Sequence, residues 1–281
     1  MRESQDYPLG YSEREARRLA DQGALLEELT ADVLRRAGLQ QGMRVLDLGC
    51  GVGDVSFLAA RMVGAGGAVL GVDQASSSVD TARHRAACLG LGHARFEVAD
   101  LRAFDTQETF DALIGRLVLM YLPDPAATLR RLARRVRPGG GVAFQEYDLS
   151  QVQAVPRSPL FANVRQWLLA GFAAGGAETD MGTRLYATFL RAGLPPPGMS
   201  AAAMVACGPS SPGYEYCAQV VRSLLPLIER AGIASAAEVA IDTLAARLRA
   251  DAVAHEQVIF LPRVVGAWSV VPAVAEGAQP P

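Results

Sequence analysis

The stretch Val45-Leu46-Asp47-Leu48-Gly49-Cys50-Gly51-Val52-Gly53 carries three glycines at alternate positions directly after an apolar run. This pattern is typical of a buried strand that breaks into a tight loop, where missing side chains let a ligand approach the backbone. A second apolar stretch, Leu70-Gly71-Val72-Asp73, ends in an acidic residue. A doubly wound fold presents such a carboxylate to ribose hydroxyls. The two segments together predict a ligand that carries an adenosine.

Composition narrows the class of protein. The chain has 281 residues, half of them hydrophobic and a fifth charged, so it can bury a sizeable core. Its formal net charge is −2 and it shows no basic patch, which argues against a nucleic-acid substrate. The four cysteines lack disulfide or zinc spacing, and no run reaches about 18 apolar residues. We therefore expect a cytoplasmic protein without a membrane segment, a nucleic-acid partner or a metal.

Strand and helix patterns alternate along the first half of the chain, which predicts a parallel sheet with helices on both faces. Strands are predicted over 44–48, 68–72, 94–99, 110–114 and 142–145. Helices are predicted over 13–37, from 54, over 78–88 and over 125–136. Beyond residue 148 the patterns predict helices over 156–174, 180–192, 213–231 and 235–250, with strands over 199–207 and 258–271.

These patterns divide one α/β domain into four regions. We expect an N-terminal cap helix within 1–40, a ligand-binding core over 41–148, a helical insertion or lid over 149–198, and C-terminal strands with a second helical insertion over 199–281. Phe161, Trp167 and Phe172 on the first insertion fit either a hydrophobic substrate pocket or the core, and aromatic residues at helical spacing more often belong to the core.

The glycine spacing departs from that of a dinucleotide-binding loop, because G-x-G-x-x-G would need a glycine where Asp54 stands. The run from Asp47 to Gly53 instead resembles the first motif of the class I S-adenosylmethionine-dependent methyltransferases. The resemblance covers roughly residues 40 to 148 and is closest to the quinone-biosynthesis-like branch, which acts on small molecules. It extends to Gly71-Val72-Asp73, Val98-Ala99-Asp100-Leu101, Phe110-Asp111-Ala112 and Leu132 to Gly141.

This resemblance implies a doubly wound, mostly parallel, seven-stranded Rossmann-like sheet that ends in an antiparallel pair and carries helical insertions. It also implies S-adenosylmethionine as cofactor, with S-adenosylhomocysteine as product. Gly49 and Gly51 would let main-chain amides approach the methionine moiety of the cofactor. Asp47 would hold that loop or the ammonium group of the cofactor.

The next two strand ends would bind the adenosine moiety. Asp73 would accept hydrogen bonds from the ribose hydroxyls, and the adjacent Gln74 is a further cofactor-binding candidate. The alternative for Asp73 is a helix N-cap. By resemblance, Asp100 would accept from the adenine amino group and Leu101 would donate its backbone amide to the ring. An Asp after a strand is also an ordinary turn residue.

Residues at the ends of the fourth and fifth strands are candidates for contact with the reacting groups. Arg116 either contacts cofactor or substrate, or pairs with Asp111 or Asp124. Glu146 and Tyr147, followed by Asp148, lie at the carboxyl edge of the fifth strand and are the candidate catalytic residues that orient a nucleophile. The alternative for these residues is a solvated turn.

Tyr7 and Tyr11 precede the first helix. They would form an aromatic cover near the sulfonium, since aromatic faces attract cations, or they pack as ordinary hydrophobic groups. Both residues stay candidates on the sequence alone.

The expected reaction is methyl transfer to an oxygen, nitrogen or carbon of a small, partly apolar molecule, by a protein that is a possible homodimer. The alternative is a protein of the same fold that binds the cofactor but catalyses a different reaction or serves as a scaffold. A nicotinamide-linked oxidoreductase is disfavoured by the glycine spacing.

Overall fold

A computed structural model describes residues 13–272, without the side chains of residues 13, 14 and 16. The strands are β1 (Arg44–Leu48), β2 (Ala68–Asp73), β3 (Ala94–Val98), β4 (Phe110–Arg116), β5 (Val136–Asp148), β6 (Gln153–Val155), β7 (Gly198–Ala206) and β8 (Val258–Val270). The helices are α1 (Glu13–Arg36), α2 (Asp54–Val63), α3 (Ser76–Cys88), α4 (Pro125–Ala133), α5 (Pro159–Ala174), α6 (Met181–Arg191), α7 (Gly213–Arg230), α8 (Ala236–Val239) and α9 (Ile241–Ala254). A short 3₁₀ turn covers Leu119–Tyr121.

The strands form one mixed sheet. Its order is β3-β2-β1-β4-β5-β8, and the neighbours from β3 to β5 are parallel. β8 runs antiparallel to β5, β6 and β7. The predicted sheet, mostly parallel and closed by an antiparallel pair, is confirmed, and β6 is one additional short strand.

Both faces of the sheet are covered, which explains why its central strands are apolar at nearly every position. Val45 and Ile114 pack with the α1, α2 and α3 side of the core, whereas Leu46 and Leu113 pack on the opposite side. All four are at most 1 % exposed. The alternation of side chains along each strand therefore divides one buried sheet between two hydrophobic clusters.

The strand predicted over 142–145 was too short. The sequence Pro138-Gly139-Gly140-Gly141 is typical of a turn, but it lies inside β5. The register with β4 shifts there, from Phe110 opposite Val136 to Ala112 opposite Gly141. A Cβ at Gly141 would lie 2.3 Å from the Ala37 carbonyl oxygen, so this glycine lets the strand pass beneath the end of α1.

The helix predicted over 235–250 was also wrong, because the chain breaks into α8 and α9 at Ala240, whose φ is 44°. The Arg247 guanidinium donates hydrogen bonds to the carbonyls of Val239 and Ala240 at this break. These bonds satisfy carbonyl groups that the interrupted helix leaves without partners. No glycine or proline in the sequence signals the break.

Side chains fix the start of two helices near the site. The Asp124 carboxylate accepts from the Ala127 amide at 2.8 Å and caps α4, and Ser158 accepts from the Phe161 amide at 3.0 Å and caps α5. Among residues 13–272, no helix is long and apolar enough to cross a membrane.

Candidate functional site

A cavity of about 460 Å³ opens at the carboxyl ends of β1, β2, β4 and β5. Open α/β sheets bind ligands at this edge, and the volume suits a small organic ligand. Helices α1, α5 and α7 wall the cavity on the far side. Seven predicted site residues line it: Gly49, Gly51, Asp73, Gln74, Leu101, Arg116 and Tyr147.

The glycine loop after β1 has an unusual backbone. Gly49, Gly51 and Gly53 have φ values of 69°, 53° and 97°, in the left-handed region that favours glycine. A Cβ at Gly49 would lie 2.4 Å from Val118 Cγ2, whereas a Cβ at Gly51 would meet only Leu19 Cδ1 at 3.9 Å. Gly49 therefore permits close packing within the protein, and Gly51 leaves open space on the cavity side.

Asp73 ties the two ligand-binding loops together. Its Oδ2 accepts from the Gly51 amide and its Oδ1 from the Ala75 amide, both at 2.9 Å. Burial raises the pKa of Asp73, although these amides oppose the shift. The N-cap alternative is wrong, because the cap position of α3 is Ala75 and has no side-chain hydrogen bond. The Gln74 amide also acts on this carboxylate, and a carboxylate has about four acceptor sites, so it keeps capacity to accept from a ligand.

Asp47 lies outside the cavity lining of the described chain. It is fully buried, and its Oδ2 accepts from Ser56 Oγ at 2.5 Å, which joins β1 to α2. Its Oδ1 has no hydrogen-bond partner among the described residues. Burial raises the pKa of Asp47 to about 7. The residue therefore supports the base of the glycine loop.

Asp100 and Leu101, the two predicted site residues that follow β3, differ in position. Leu101 is buried and lines the cavity, and its carbonyl accepts from Arg131 Nη2 at 3.0 Å. Asp100 is exposed and lies outside the lining; its carboxylate accepts from Arg102 Nε at 2.9 Å and Nη2 at 3.0 Å. The Arg102 guanidinium lowers the pKa of Asp100. In this arrangement the Asp100 carboxylate forms a salt bridge with Arg102 of the same loop.

Arg116 lies partly buried at the end of β4, with Nη1 donating to Thr30 Oγ1 of α1 at 2.9 Å. Burial lowers the pKa of its guanidinium. The predicted alternatives with Asp111 or Asp124 are wrong. Asp111 pairs with Arg137, and Asp124 caps α4. Arg116 is thus a cavity residue.

Glu146 lies just outside the cavity lining, beneath the loop that joins β4 to α4. Its Oε1 accepts from the amides of Val118 at 3.0 Å and Leu119 at 2.7 Å, and its Oε2 has no hydrogen-bond partner in the described structure. Burial raises its pKa to about 8. The loop includes Leu117, whose φ of 55° is strained for a leucine and whose side chain lines the cavity. Glu146 therefore holds a strained cavity wall in position.

The predicted solvated turn at the end of β5 is wrong, because Glu146, Tyr147 and Asp148 are all buried. The Tyr147 hydroxyl lies 2.6 Å from the Tyr216 hydroxyl of α7 and accepts from Gln22 Nε2 of α1 at 2.8 Å. Burial raises the pKa of both tyrosines. The two hydroxyls therefore stay protonated at neutral pH, where each can donate one hydrogen bond.

The polar network continues along α1. Arg18 Nη1 donates to Gln22 Oε1 at 3.0 Å, and its Nη2 pairs with Glu15 at 2.5 Å. Ser223 of α7 donates to the other Glu15 oxygen at 2.8 Å. Hydrogen bonds thus link α1, β5 and α7 across one end of the cavity.

Several cavity residues were missed by sequence reasoning. The main ones are Arg18, Gln22, Leu168, Tyr216 and Cys217. The i, i+4 spacing of Arg18 and Gln22 put them on one helical face, but only the packing of α1 on β5 shows where that face points. Among the aromatic candidates, Phe172 lines the cavity, whereas Phe161 and Trp167 belong to the core. Tyr7 and Tyr11 lie outside the described residues.

The residues that the structure describes contain no group of three His, Cys, Asp or Glu side chains that could hold a metal ion. The hydrogen-bonding groups at the site include backbone amides, the Asp73 carboxylate and the hydroxyls of Tyr147 and Tyr216.

Residues 39–183 match the family described as "Methyltransferase domain". Trans-aconitate 2-methyltransferase of Methylobacterium nodulans is 40 % identical over 119 residues, which cover 42 % of this chain and 43 % of that protein. The 2-phytyl-1,4-naphtoquinone methyltransferase of Synechococcus elongatus is 38 % identical over 148 residues, which cover 50 % and 60 %. The chain thus spans about half the length of these curated relatives.

Solved structures share the fold. YcgJ from Bacillus subtilis superposes with a TM-score of 0.59 at 15 % identity, covering 88 % of this chain and 100 % of that one. The [4+2]-cyclase SpnF superposes with a TM-score of 0.53 at 19 % identity, covering 88 % and 82 %. At these identities the likeness concerns the fold.

Proposed function

This chain belongs to the methyltransferase domain family, and we propose that it transfers the methyl group of S-adenosylmethionine to a small, partly apolar metabolite. The observation that carries the proposal is the pairing of Asp73 with the Gly51 amide at the mouth of the cavity. A flexible glycine loop and a carboxylate from the next strand form a cradle for a nucleoside with a charged side chain.

The residues present fit the cofactor. The open space at Gly51 gives a ligand access to the backbone, and the start of α2 offers its positive dipole end to a carboxylate. We propose that Asp73 accepts from the ribose hydroxyls and that Leu101 donates its amide to the adenine ring. Gln74 lies beside them in the lining. When bound, the cofactor supplies a methyl group already activated on a sulfonium.

Two other predicted cofactor residues act indirectly in this proposal. Asp47 supports the loop through Ser56, and Asp100 shapes the adjacent loop through Arg102. Their carboxylates lie outside the cavity lining of residues 13–272. Direct contact of either residue with the cofactor stays a prediction, as does the aromatic cover formed by Tyr11.

The acceptor site is proposed to lie between β5, α5 and α7, within the predicted lid and C-terminal regions. Tyr147 and Tyr216 offer hydroxyls there, and Leu168 and Phe172 offer apolar surface. Holding two reactants in line can lower a barrier by roughly 7 to 11 kcal/mol, so placement supplies much of the catalysis. In this scheme Tyr147 orients the acceptor, and Glu146 is a positioning residue that holds the Leu117 loop.

Methyl transfer is tested with methyl-labelled cofactor and a panel of phenols, carboxylic acids and amines. We expect label in a small-molecule product, and less label with the Asp73→Ala variant at cofactor concentrations that do not saturate it. Label that moves instead to added tRNA or protein contradicts the proposal of a small acceptor. Cofactor binding without any label transfer favours the alternative, a protein of this fold that catalyses another reaction or acts as a scaffold.

The proposal extends to location and assembly. Cys50, Cys88, Cys207 and Cys217 are free, which supports a reducing, cytoplasmic environment.

A homodimer is supported by β7, which pairs with β8 on one side and carries no charged residue. Sedimentation should show a dimer that the exposed-strand variant Ala203→Lys dissociates. A wild-type monomer contradicts the homodimer.

A further inference from the structure

We infer that the acceptor is an organic anion and that Arg116 supplies the positive charge that holds it in the cavity. The inference rests on the proposed function and specifies its acceptor. Its basis is the environment of one guanidinium group at the end of β4.

Arg116 has unused hydrogen-bonding capacity. A guanidinium carries five N–H donors, and among residues 13–272 Arg116 makes one hydrogen bond, from Nη1 to Thr30 Oγ1. No carboxylate of the described chain lies within 4.0 Å of it. The partly buried side chain nevertheless lines the cavity, where an unpaired charge is costly and a bound carboxylate or other oxyanion offsets that cost.

The neighbouring acidic groups do not neutralise this charge. Asp54 forms a salt bridge with Arg85, in which Arg85 Nη2 lies 2.7 Å from Asp54 Oδ1. Asp47 bonds to Ser56, and its pKa of about 7 leaves it only partly ionised at neutral pH. By contrast, Arg18, which also lines the cavity, is paired with Glu15.

The rest of the cavity lining suits an anion with an apolar body. Tyr147 and Tyr216 supply hydroxyls, while Leu149, Leu168 and Phe172 supply apolar surface. The cofactor itself carries a sulfonium, an ammonium and one carboxylate, so it adds a net positive charge. Together these charges attract an anionic acceptor in preference to a neutral one.

The experiment compares two probes of nearly equal size, 4-phenylbutyrate and its neutral amide, by calorimetric titration of the protein saturated with S-adenosylhomocysteine. We expect the carboxylate to bind at least about tenfold more tightly, which corresponds to about 1.4 kcal/mol. Arg116→Gln should abolish this preference, and Arg116→Lys should keep part of it because the charge remains. Arg191→Gln, at an exposed position in the last turn of α6, is the matched control and should keep the full preference.

Equal affinity of the two probes for the wild type overturns the inference, whether or not the Arg116→Gln variant folds. It is also overturned if Arg116→Gln weakens S-adenosylhomocysteine binding but not that of 5′-methylthioadenosine, which lacks the amino-acid carboxylate. In that case the guanidinium holds the cofactor. Failure of the wild type to bind S-adenosylhomocysteine contradicts the proposed function, whereas binding without a carboxylate preference contradicts this inference alone.

Discussion

Replacing Asp73 by alanine removes one carboxylate that serves two purposes. Inside the protein it accepts from the Gly51 and Ala75 amides at 2.9 Å each. In the proposed complex it also accepts from the ribose hydroxyls through its remaining lone pairs. The variant should therefore lose both stability and affinity, and the two losses can be measured separately.

The magnitudes follow from these bonds. The internal hydrogen bonds of this carboxylate contribute roughly 1 to 3 kcal/mol to the free energy of unfolding, reduced by the cost of burying the carboxylate. Loss of the ribose contacts should weaken S-adenosylhomocysteine binding by on the order of 1 to 3 kcal/mol, or roughly 5- to 150-fold. Urea unfolding measures the first quantity, and calorimetric titration measures the second.

A second ligand separates the ribose contacts from any general disturbance of the loop. The 2′,3′-dideoxy analogue of S-adenosylhomocysteine lacks both ribose hydroxyls, so it should bind the wild type more weakly than S-adenosylhomocysteine does. Its affinity should be nearly the same for the wild type and for Asp73→Ala. The control is Asp80→Ala, which removes an exposed carboxylate of α3 that pairs with Arg83 at the surface. Unchanged affinity for S-adenosylhomocysteine in a folded Asp73→Ala variant would refute the assignment.

Three further predictions concern burial and backbone conformation. Glu146 keeps its proton to about pH 8 in the folded protein but ionises near 4.5 in the unfolded chain, so the free energy of unfolding should fall as pH rises between these values. Glu146→Gln should lose this fall, which is at most about 1.4 kcal/mol per pH unit, and equal slopes in urea unfolding at pH 5 to 8 would contradict it. Gly51→Ala and Gly38→Ala should each lower the free energy of unfolding by roughly 1 to 2 kcal/mol, because both positions have positive φ. Calorimetric titration should show weaker binding of S-adenosylhomocysteine for Gly51→Ala alone. Ala240→Gly should raise the free energy of unfolding by about 1 kcal/mol, because φ is 44° at this position. The control Ala237→Gly, inside α8, should lower the free energy of unfolding. A loss of stability in Ala240→Gly would show that the backbone at Ala240 is not strained.

The cofactor half of the fold was predictable because its signals are local. A glycine loop directly after an apolar strand specifies its own backbone conformation, and the acidic residue at the end of β2 is positioned by the neighbouring parallel strand. The register of β1 with β2 places Leu48 opposite Val72. The loops that carry Gly51 and Asp73 consequently meet at one edge of the sheet.

The acceptor half was less predictable because its contacts join segments far apart in the chain. The hydrogen bond between Tyr147 and Tyr216 links residues 69 positions apart, and that between Gln22 and Tyr147 spans 125 positions. No sequence spacing encodes such pairs. Glu146 also shows that a carboxylate at the carboxyl edge can face the interior instead of the cavity.

The position of β8 in the sheet has a consequence for the order of folding during synthesis. β8 is the last described strand to leave the ribosome, yet it lies between β5 on one side and β7 on the other. The strands from β3 to β5 can assemble early, because each pairs with strands already synthesised. β7 has no partner among the described strands until β8 emerges. Until β8 has left the ribosome, the nascent chain therefore carries the assembled strands β3 to β5 and an unpaired β7, and such an exposed strand favours aggregation.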